Sequence, residues 1–202
     1  MNNNNKHDLL YINVNSLSRE LCNNIINLFE QSGNRYDGQT FGGTDKNVKD
    51  TTDLVITNAG SIWDRINKTL FNELNRNVRK YVKKYNNKVS ETYQIFGGTN
   101  YLITETMQVQ KYNKNVGKYV YHQDYSCDWK NKKMRHLTFL WYLNDVEEGG
   151  ETEFWGQYGI KPEAGKLILF PASWTFPHKA NVPISSDKYI ITGWLWQHYN
   201  TE

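Results

Sequence analysis

The sequence predicts a mainly β domain with supporting α-helices, a sandwich or open barrel with the helices packed on one side. Three observations predict it. Two stretches in the first half carry apolar residues at helical spacing. From about Tyr93 to Trp196 the texture changes to short alternating or β-branched runs punctuated by Gly, Pro, Asn and Asp. The chain has 202 residues, 38% of them hydrophobic, with 7 Trp and 14 Tyr, which is too apolar and aromatic for disorder and fits one domain. No internal repeat is visible. The expected organisation is a single domain over 1–202, with a partly flexible 1–15 that contains a frayed Asn run, helices and loops over 16–92, and a β core over 93–198.

The first helix is expected from Ser16 to Gly33. Leu17, Leu21, Ile25, Leu28 and Phe29 form its apolar stripe, Ser16 is the candidate N-cap and Gly33 the stop. Residues 34–60 read as a long loop with one short strand around Leu54 to Ile56. A second helix is expected from Ser61, with Asp64 three residues on as in a capping box, to about Tyr85. Its buried face is Ile62, Ile66, Leu70, Leu74, Val78 and Tyr81. The expected strands are Met107 to Tyr112, Tyr119 to His122, Leu137 to Leu143, Thr152 to Trp155, Lys166 to Phe170 and Lys188 to Trp196.

Charge and composition exclude several classes. A mean hydropathy of -0.76, with no apolar run near twenty residues, gives no membrane-spanning helix. The polar Met1 to His7 start lacks a secretory h-region, so a cytosolic location is expected. The richness in Asn, Lys, Ile and Tyr suggests an AT-rich coding bias of the kind a virus or a streamlined bacterium carries. Cys22 and Cys127 are far apart and in no CxxC context, so plain thiols are expected. The net charge of +3 is spread along the chain. The one basic cluster, Arg79, Lys80, Lys83, Lys84 and Lys88, fits a solvated helix end, so nucleic acid is not the expected partner.

Chemistry concentrates in the β half. Alternation places His122 and Asp124 on one face of a strand, either as half of a metal site or as a hydrogen-bonded pair at a strand end. His178, in Pro177-His-Lys179, reads alone as a loop histidine. If the strand ends meet, the three residues make a two-His, one-carboxylate facial triad suited to iron(II) rather than zinc. Lys188 lies ten residues after His178 and shares a strand face with Thr192 and Trp194. Facing inward, it would be a costly buried cation that a carboxylate ligand could neutralise. The opposite register would turn it outward and bury Tyr189, Ile191 and Leu195 instead.

The order His122-x-Asp124, His178, Lys188 resembles the prolyl 4-hydroxylase family of iron(II)/2-oxoglutarate-dependent dioxygenases. The resemblance covers roughly residues 105 to 196. Tyr112, ten positions before His122, resembles the family tyrosine that binds the distal carboxylate of 2-oxoglutarate. Arg135 to Asn144 resembles the family strand ending in Tyr-Leu-Asn, in which Tyr142 also approaches the co-substrate. Gly149-Gly-Glu-Thr152 and Ala164 to Phe170 resemble the segments that follow.

The resemblance implies a double-stranded β-helix (a cupin-like jelly roll) with the metal at its open end and the N-terminal helices packed on one sheet. It implies His122, Asp124 and His178 as iron ligands, Lys188 with Tyr112 and Tyr142 on 2-oxoglutarate, and Thr192 and Trp194 shaping the pocket, with core packing the alternative for Trp194. Cys127 and Trp129 line the entrance or are structural. The implied cofactors are Fe(II), 2-oxoglutarate and O2, with ascorbate a candidate addition. The implied reaction is procollagen-proline-type 4-hydroxylation of a proline in a peptide or protein, releasing succinate and CO2. Segments 34–60 and 86–104 are candidate lids. A lysine at 188 resembles the collagen-type enzymes more than nucleic-acid demethylases, and Asp124 argues against a halogenase. A free amino acid or another side chain as substrate, and a non-catalytic jelly-roll binder, are the alternative readings.

Overall fold

Period-two alternation on long strands sends successive side chains to opposite faces, and here both faces are covered. In the computed structural model, which describes residues 8–56, 62–89 and 102–199, the elements are β1 (Tyr11–Asn13), α1 (Arg19–Gln31), β2 (Tyr36–Asp37), β3 (Lys49–Asp50), β4 (Thr52–Ile56), α2 (Ile62–Val89), β5 (Leu102–Tyr112), β6 (Lys118–His122), β7 (Cys127–Asp128), β8 (Lys133–Tyr142), β9 (Thr152–Phe154), β10 (Tyr158–Ile160), β11 (Leu167–Pro171), β12 (His178–Ala180) and β13 (Lys188–His198). They form a larger sheet in the order β1-β11-β8-β13-β5-β4-β2, with β7 added beside β8, and a smaller sheet in the order β10-β9-β12-β6-β3. The pairings are antiparallel. This is the expected jelly roll.

One apolar layer lies between the helices and the large sheet. Ile25 and Phe29 of α1 and Leu70, Leu74 and Val78 of α2 pack with Phe139, Trp141, Leu169 and Ile191. The alternate residues of the same strands, Leu140, Tyr142, Phe170 and Ile190, join Phe154 and Ile160 of the small sheet in a second layer. Strand β13 therefore buries Lys188 and Ile190 on one face and Ile191 and Leu195 on the other. The two registers weighed from the sequence are not alternatives, because a central strand covered by helices on one side and a sheet on the other has no solvent face.

The first helix starts later than expected. Ser18 is its N-cap, its side chain accepting from the Leu21 N–H, whereas Ser16 is buried and spends its hydroxyl on Glu73 and on the indole N–H of Trp141. Within the segment expected to be partly flexible, Tyr11–Asn13 pairs with β11. The Asn run, the Ser61 cap and residues 90–101 lie outside the described residues. His178 is not in a loop: it opens β12 and pairs with both β9 and β6. A three-residue strand after a proline is too short for periodicity to reveal. Gly193 sits where β13 shifts register against β5, and a Cβ there would fall 2.5 Å from the Phe139 ring and 2.8 Å from the Thr106 carbonyl oxygen. No helix among the described residues is long and apolar enough to cross a membrane.

Candidate active site

Strands β6 and β12 are neighbours in the small sheet, and their register sets His122 directly opposite His178. Their rings lie 4.3 Å apart, centroid to centroid. Each Nδ1 is bonded to a main-chain oxygen two residues back, His122 to Val120 at 2.8 Å and His178 to Phe176 at 3.1 Å. Those acceptors place the ring proton on Nδ1, which leaves Nε2 with a lone pair. Asp124, two residues past the end of β6, turns its carboxylate to the same point. Its Oδ1 is 3.8 Å from Nε2 of His122 and its Oδ2 3.5 Å from Nε2 of His178. These separations are long for hydrogen bonds. The three donor atoms lie within 4.8 Å of one another. Two imidazoles and one carboxylate suit a borderline cation such as iron(II) with further coordination positions open.

The electrostatics agree with that chemistry. Burial, helped by His178, pushes the His122 imidazole down to about 4, against the opposing pull of Asp124, so it is neutral at pH 7. Burial alone would raise the Asp124 carboxyl, but the two histidines, the Thr138 hydroxyl and Arg135 outweigh it and hold it below the ordinary value. Thr138, on β8, donates to Asp124 Oδ2 at 2.7 Å and fixes the carboxylate's rotation. On the far side of His122 the ring of Tyr119 stacks at 3.6 Å.

A cavity of about 750 Å³ opens from these residues and is bounded by Tyr112, Lys188, Thr192 and Trp194 among others. Lys188 is fully buried. Its ammonium donates to the Gly150 carbonyl at 2.9 Å and sits 4.1 Å above the Tyr112 ring. Burial lowers its pKa to about 7, with Glu151 opposing, and no carboxylate of the described residues pairs with it. A carboxylate ligand fits beside such an ammonium. Thr192 also faces the cavity but donates to the Phe139 carbonyl at 2.9 Å. Trp194 lines the wall beneath the guanidinium of Arg135, 3.5 Å from its ring centroid.

Tyr142 does not reach the cavity. Its hydroxyl is spent on Thr152 at 2.7 Å and on the Ile160 carbonyl, and it is Thr152 that faces inward. Tyr112 does face inward, with its hydroxyl donated to Gln110 at 3.0 Å. Behind it runs a relay that the sequence reading missed. Gln110 reaches Asp53 at 3.5 Å, and Asp53 holds Lys49 at 2.6 Å and Thr51 at 2.8 Å, all of them buried. Lys49, Asp53 and Thr51 sit in a stretch without clear period, where no local pattern singles them out. Phe41 stands fully exposed at the cavity mouth on a turn closed by hydrogen bonds in both directions between Thr40 and Gly43. Cys127 and Trp129 are at the same mouth, and both cysteines are free thiols. Of the 86–104 segment, the described parts belong to α2 and β5.

Residues 107–196 match the model of the 2OG-Fe(II) oxygenase superfamily. Over those residues, a little under half of the chain, this protein is similar to 2OG-Fe(II) oxygenases. That superfamily uses iron(II), 2-oxoglutarate and dioxygen, and the donor set and the buried lysine described above fit the first two. A probable prolyl 4-hydroxylase 10 of Arabidopsis thaliana is 34% identical over 125 residues, which take in 46% of this chain and 43% of that protein, so the chain spans less than half of the relative's length. Two solved structures share the fold. One is a viral collagen prolyl hydroxylase from Paramecium Bursaria Chlorella virus-1 in complex with 2OG, at 19% identity and a TM-score of 0.66, covering 94% of this chain and 96% of that one. The other is a prolyl hydroxylase from Trichoplax adhaerens in complex with a hypoxia inducible factor peptide fragment, at 19% identity and a TM-score of 0.69, covering 94% and 84%.

Proposed function

We propose that this chain is an iron(II)/2-oxoglutarate-dependent prolyl hydroxylase that hydroxylates C4 of a proline within a peptide or protein and releases succinate and CO2. The observation that carries the reading is the shared cavity, lined both by the His122/Asp124/His178 donor set and by a buried ammonium that no carboxylate of the described residues pairs with. The prolyl hydroxylase relatives support proline as the substrate residue. The proposal includes ascorbate as the accessory reductant, a cytoplasmic location and a single catalytic domain over residues 1–202.

In this reading His122, Asp124 and His178 hold the iron, and Thr138 keeps the Asp124 carboxylate turned toward it. Bound there with 2-oxoglutarate and dioxygen, iron supplies oxidative decarboxylation coupled to insertion of one oxygen atom into a substrate C–H bond. Lys188 pairs with the distal carboxylate of 2-oxoglutarate, which restores charge balance to a buried site. Tyr112 stacks under that ammonium and fixes its direction, since its own proton is already given to Gln110. Thr192 and Trp194 close the wall and keep bulk water from the reacting centre. Tyr142 acts through Thr152, whose hydroxyl it orients.

The test is succinate formation from 2-oxoglutarate with iron(II) and ascorbate under air, with and without proline-containing peptides, and peptide mass as a second readout. Peptide-stimulated succinate with a gain of one oxygen on proline is expected. Turnover without modification of any proline would move the substrate to a free amino acid or another side chain. His122→Ala and Asp124→Ala should each lose Mn(II) binding, measured by electron paramagnetic resonance, while keeping the circular dichroism of the parent. Retained Mn(II) binding would remove these residues from the metal site.

A further inference from the structure

The basic residues of α2 form a row along the helix. A helix that stopped near Tyr85 would set Arg79, Lys80, Lys83 and Lys84 against the negative pole of its dipole, but α2 runs on to Val89 and leaves all four outside its last turn. Arg76 and Lys68 carry the row back to Arg65, which stands in the first turn, where the dipole opposes a cation. All seven are exposed. The other exposed residues from Arg65 to Lys84 are Thr69, Asn72 and Asn75, so this face presents no exposed carboxylate and no exposed apolar side chain. The acids of the helix are Asp64 and Glu73, both half-buried, and Glu73 is shared by Arg76 at 2.8 Å, Ser16 and Asn77. Among the described residues no other cation of the row makes an ion pair.

This row carries the positive charge of the whole molecule. Lys and Arg number 24 against 21 Asp and Glu, so without the row the chain would be net acidic. The positive field therefore belongs to one face. That face lies behind the larger sheet, because α2 packs Leu70, Leu74 and Val78 with Trp141 and Leu169, whereas Leu140, Phe170 and Ile190 of the same strands line the cavity.

The row discriminates among anionic partners. A lipid surface holds a helix by apolar side chains sunk among the acyl chains, and none is exposed here. A stable protein interface has an apolar, aromatic centre from which Lys is depleted. Single-stranded nucleic acid adds base stacking on aromatic rings, which this face lacks. A duplex requires only that its phosphates meet Lys and Arg at close intervals. Cations three and four residues apart on a helix stand about 5–6 Å from one another, and the row extends over about 28 Å, most of one turn of B-DNA. The major groove of B-DNA admits a helix, whereas that of A-form RNA is too narrow.

We infer that the outer face of α2 binds the phosphate backbone of duplex DNA, irrespective of base sequence and with the cavity left open. The inference does not depend on the oxygenase reading, since the row and the cavity lie on opposite sides of the larger sheet.

Fluorescence anisotropy of a labelled, mixed-sequence DNA duplex of about 30 base pairs, titrated with the full chain from about 50 to about 200 mM KCl, tests it. With about five phosphates met, log affinity should fall against log salt with a slope of about −4.5. The triple variant Arg79→Gln, Lys80→Gln, Lys83→Gln changes only exposed positions and should bind at least about tenfold more weakly, with a slope shallower by about 2.7. Its Mn(II) affinity should match the parent's, which shows that the fold is kept. The control Lys46→Gln, Lys114→Gln, Lys161→Gln removes the same charge elsewhere and should bind DNA like the parent. An RNA duplex of the same sequence should bind more weakly, and phosphatidylserine vesicles should not bind. No DNA binding at the lowest salt, a triple variant that binds like the parent, or a control that loses as much would overturn the assignment. So would a preference for the RNA duplex or the vesicles.

Discussion

A buried ammonium whose pKa has fallen from 10.5 to about 7 is half discharged at neutrality, yet only its charged form pairs with a carboxylate. Burial is the main cause and Glu151 opposes it. Binding of 2-oxoglutarate at Lys188 must then take up a proton wherever the free site is neutral. Below pH 7 the lysine is already charged and affinity should be level. Above pH 7 the charged fraction falls toward tenfold per pH unit, so affinity at pH 9 should be about 50-fold weaker than at pH 7. Two neighbours stay outside that window: His122 titrates near 4, and burial holds the Tyr112 hydroxyl well above its usual value. Calorimetry of 2-oxoglutarate into the Mn(II)-loaded protein, in two buffers of different ionisation enthalpy, reads the proton count directly. About 0.9 proton should be taken up per ligand at pH 8. Uptake near zero with unchanged affinity from pH 7 to 9 would refute the reasoning, because the distal carboxylate would then meet a group that never lost its charge.

The same lysine weakens the fold where it is charged. Its folded pKa lies below the unfolded one, so the penalty is complete below pH 7 and disappears as pH rises toward 10.5. Lys188→Met should therefore stabilise the protein at pH 6 by roughly 2 kcal/mol in urea denaturation and by little at pH 10.5, while losing 2-oxoglutarate binding. Asp53→Asn strands Lys49 in the interior and should cost about 3 kcal/mol, and pairing it with Lys49→Met should recover most of the loss in the same assay. Thr138→Val removes the hydroxyl that steadies Asp124 and should weaken Mn(II) affinity about tenfold in a competition titration, with thermal stability little changed.

What could be read from the sequence followed from which forces act locally. The apolar stripes of both helices and the apolar runs of β8 and β11 are local patterns, and α1, α2 and the long strands lie where those patterns put them. Boundaries set by tertiary contacts were not legible. Ser16 and Ser18 are equally good caps on paper, and only the burial of Ser16 against Glu73 and Trp141 decides between them. For the candidate site, the residues offered by His-x-Asp, His178 and Lys188 converge on one cavity, as do Tyr112, Thr192 and Trp194. Tyr142 departs because alternation assigns a face and says nothing about what a hydroxyl meets on it, here Thr152. The Lys49, Asp53 and Gln110 relay joins β3, β4 and β5, and no spacing within one segment announces an interaction across three.

The cross-strand pairing of His122 with His178 makes the small sheet a device that measures its own alignment. A slip of one residue between β6 and β12 would carry one imidazole to the opposite face, and the donor set would vanish. β12 is only three residues long and shifts register after His178, so main-chain bonds alone specify that alignment weakly. A cation bridging the two strands would fasten residue 122 to residue 178 and reward one register among several. Folding of this sheet and metal capture then become one event. Chelation should loosen β6 and β12 in hydrogen exchange before it disturbs the helix-backed sheet, and a protein made without metal should contain misaligned molecules that iron added later can recruit only as fast as those strands re-form.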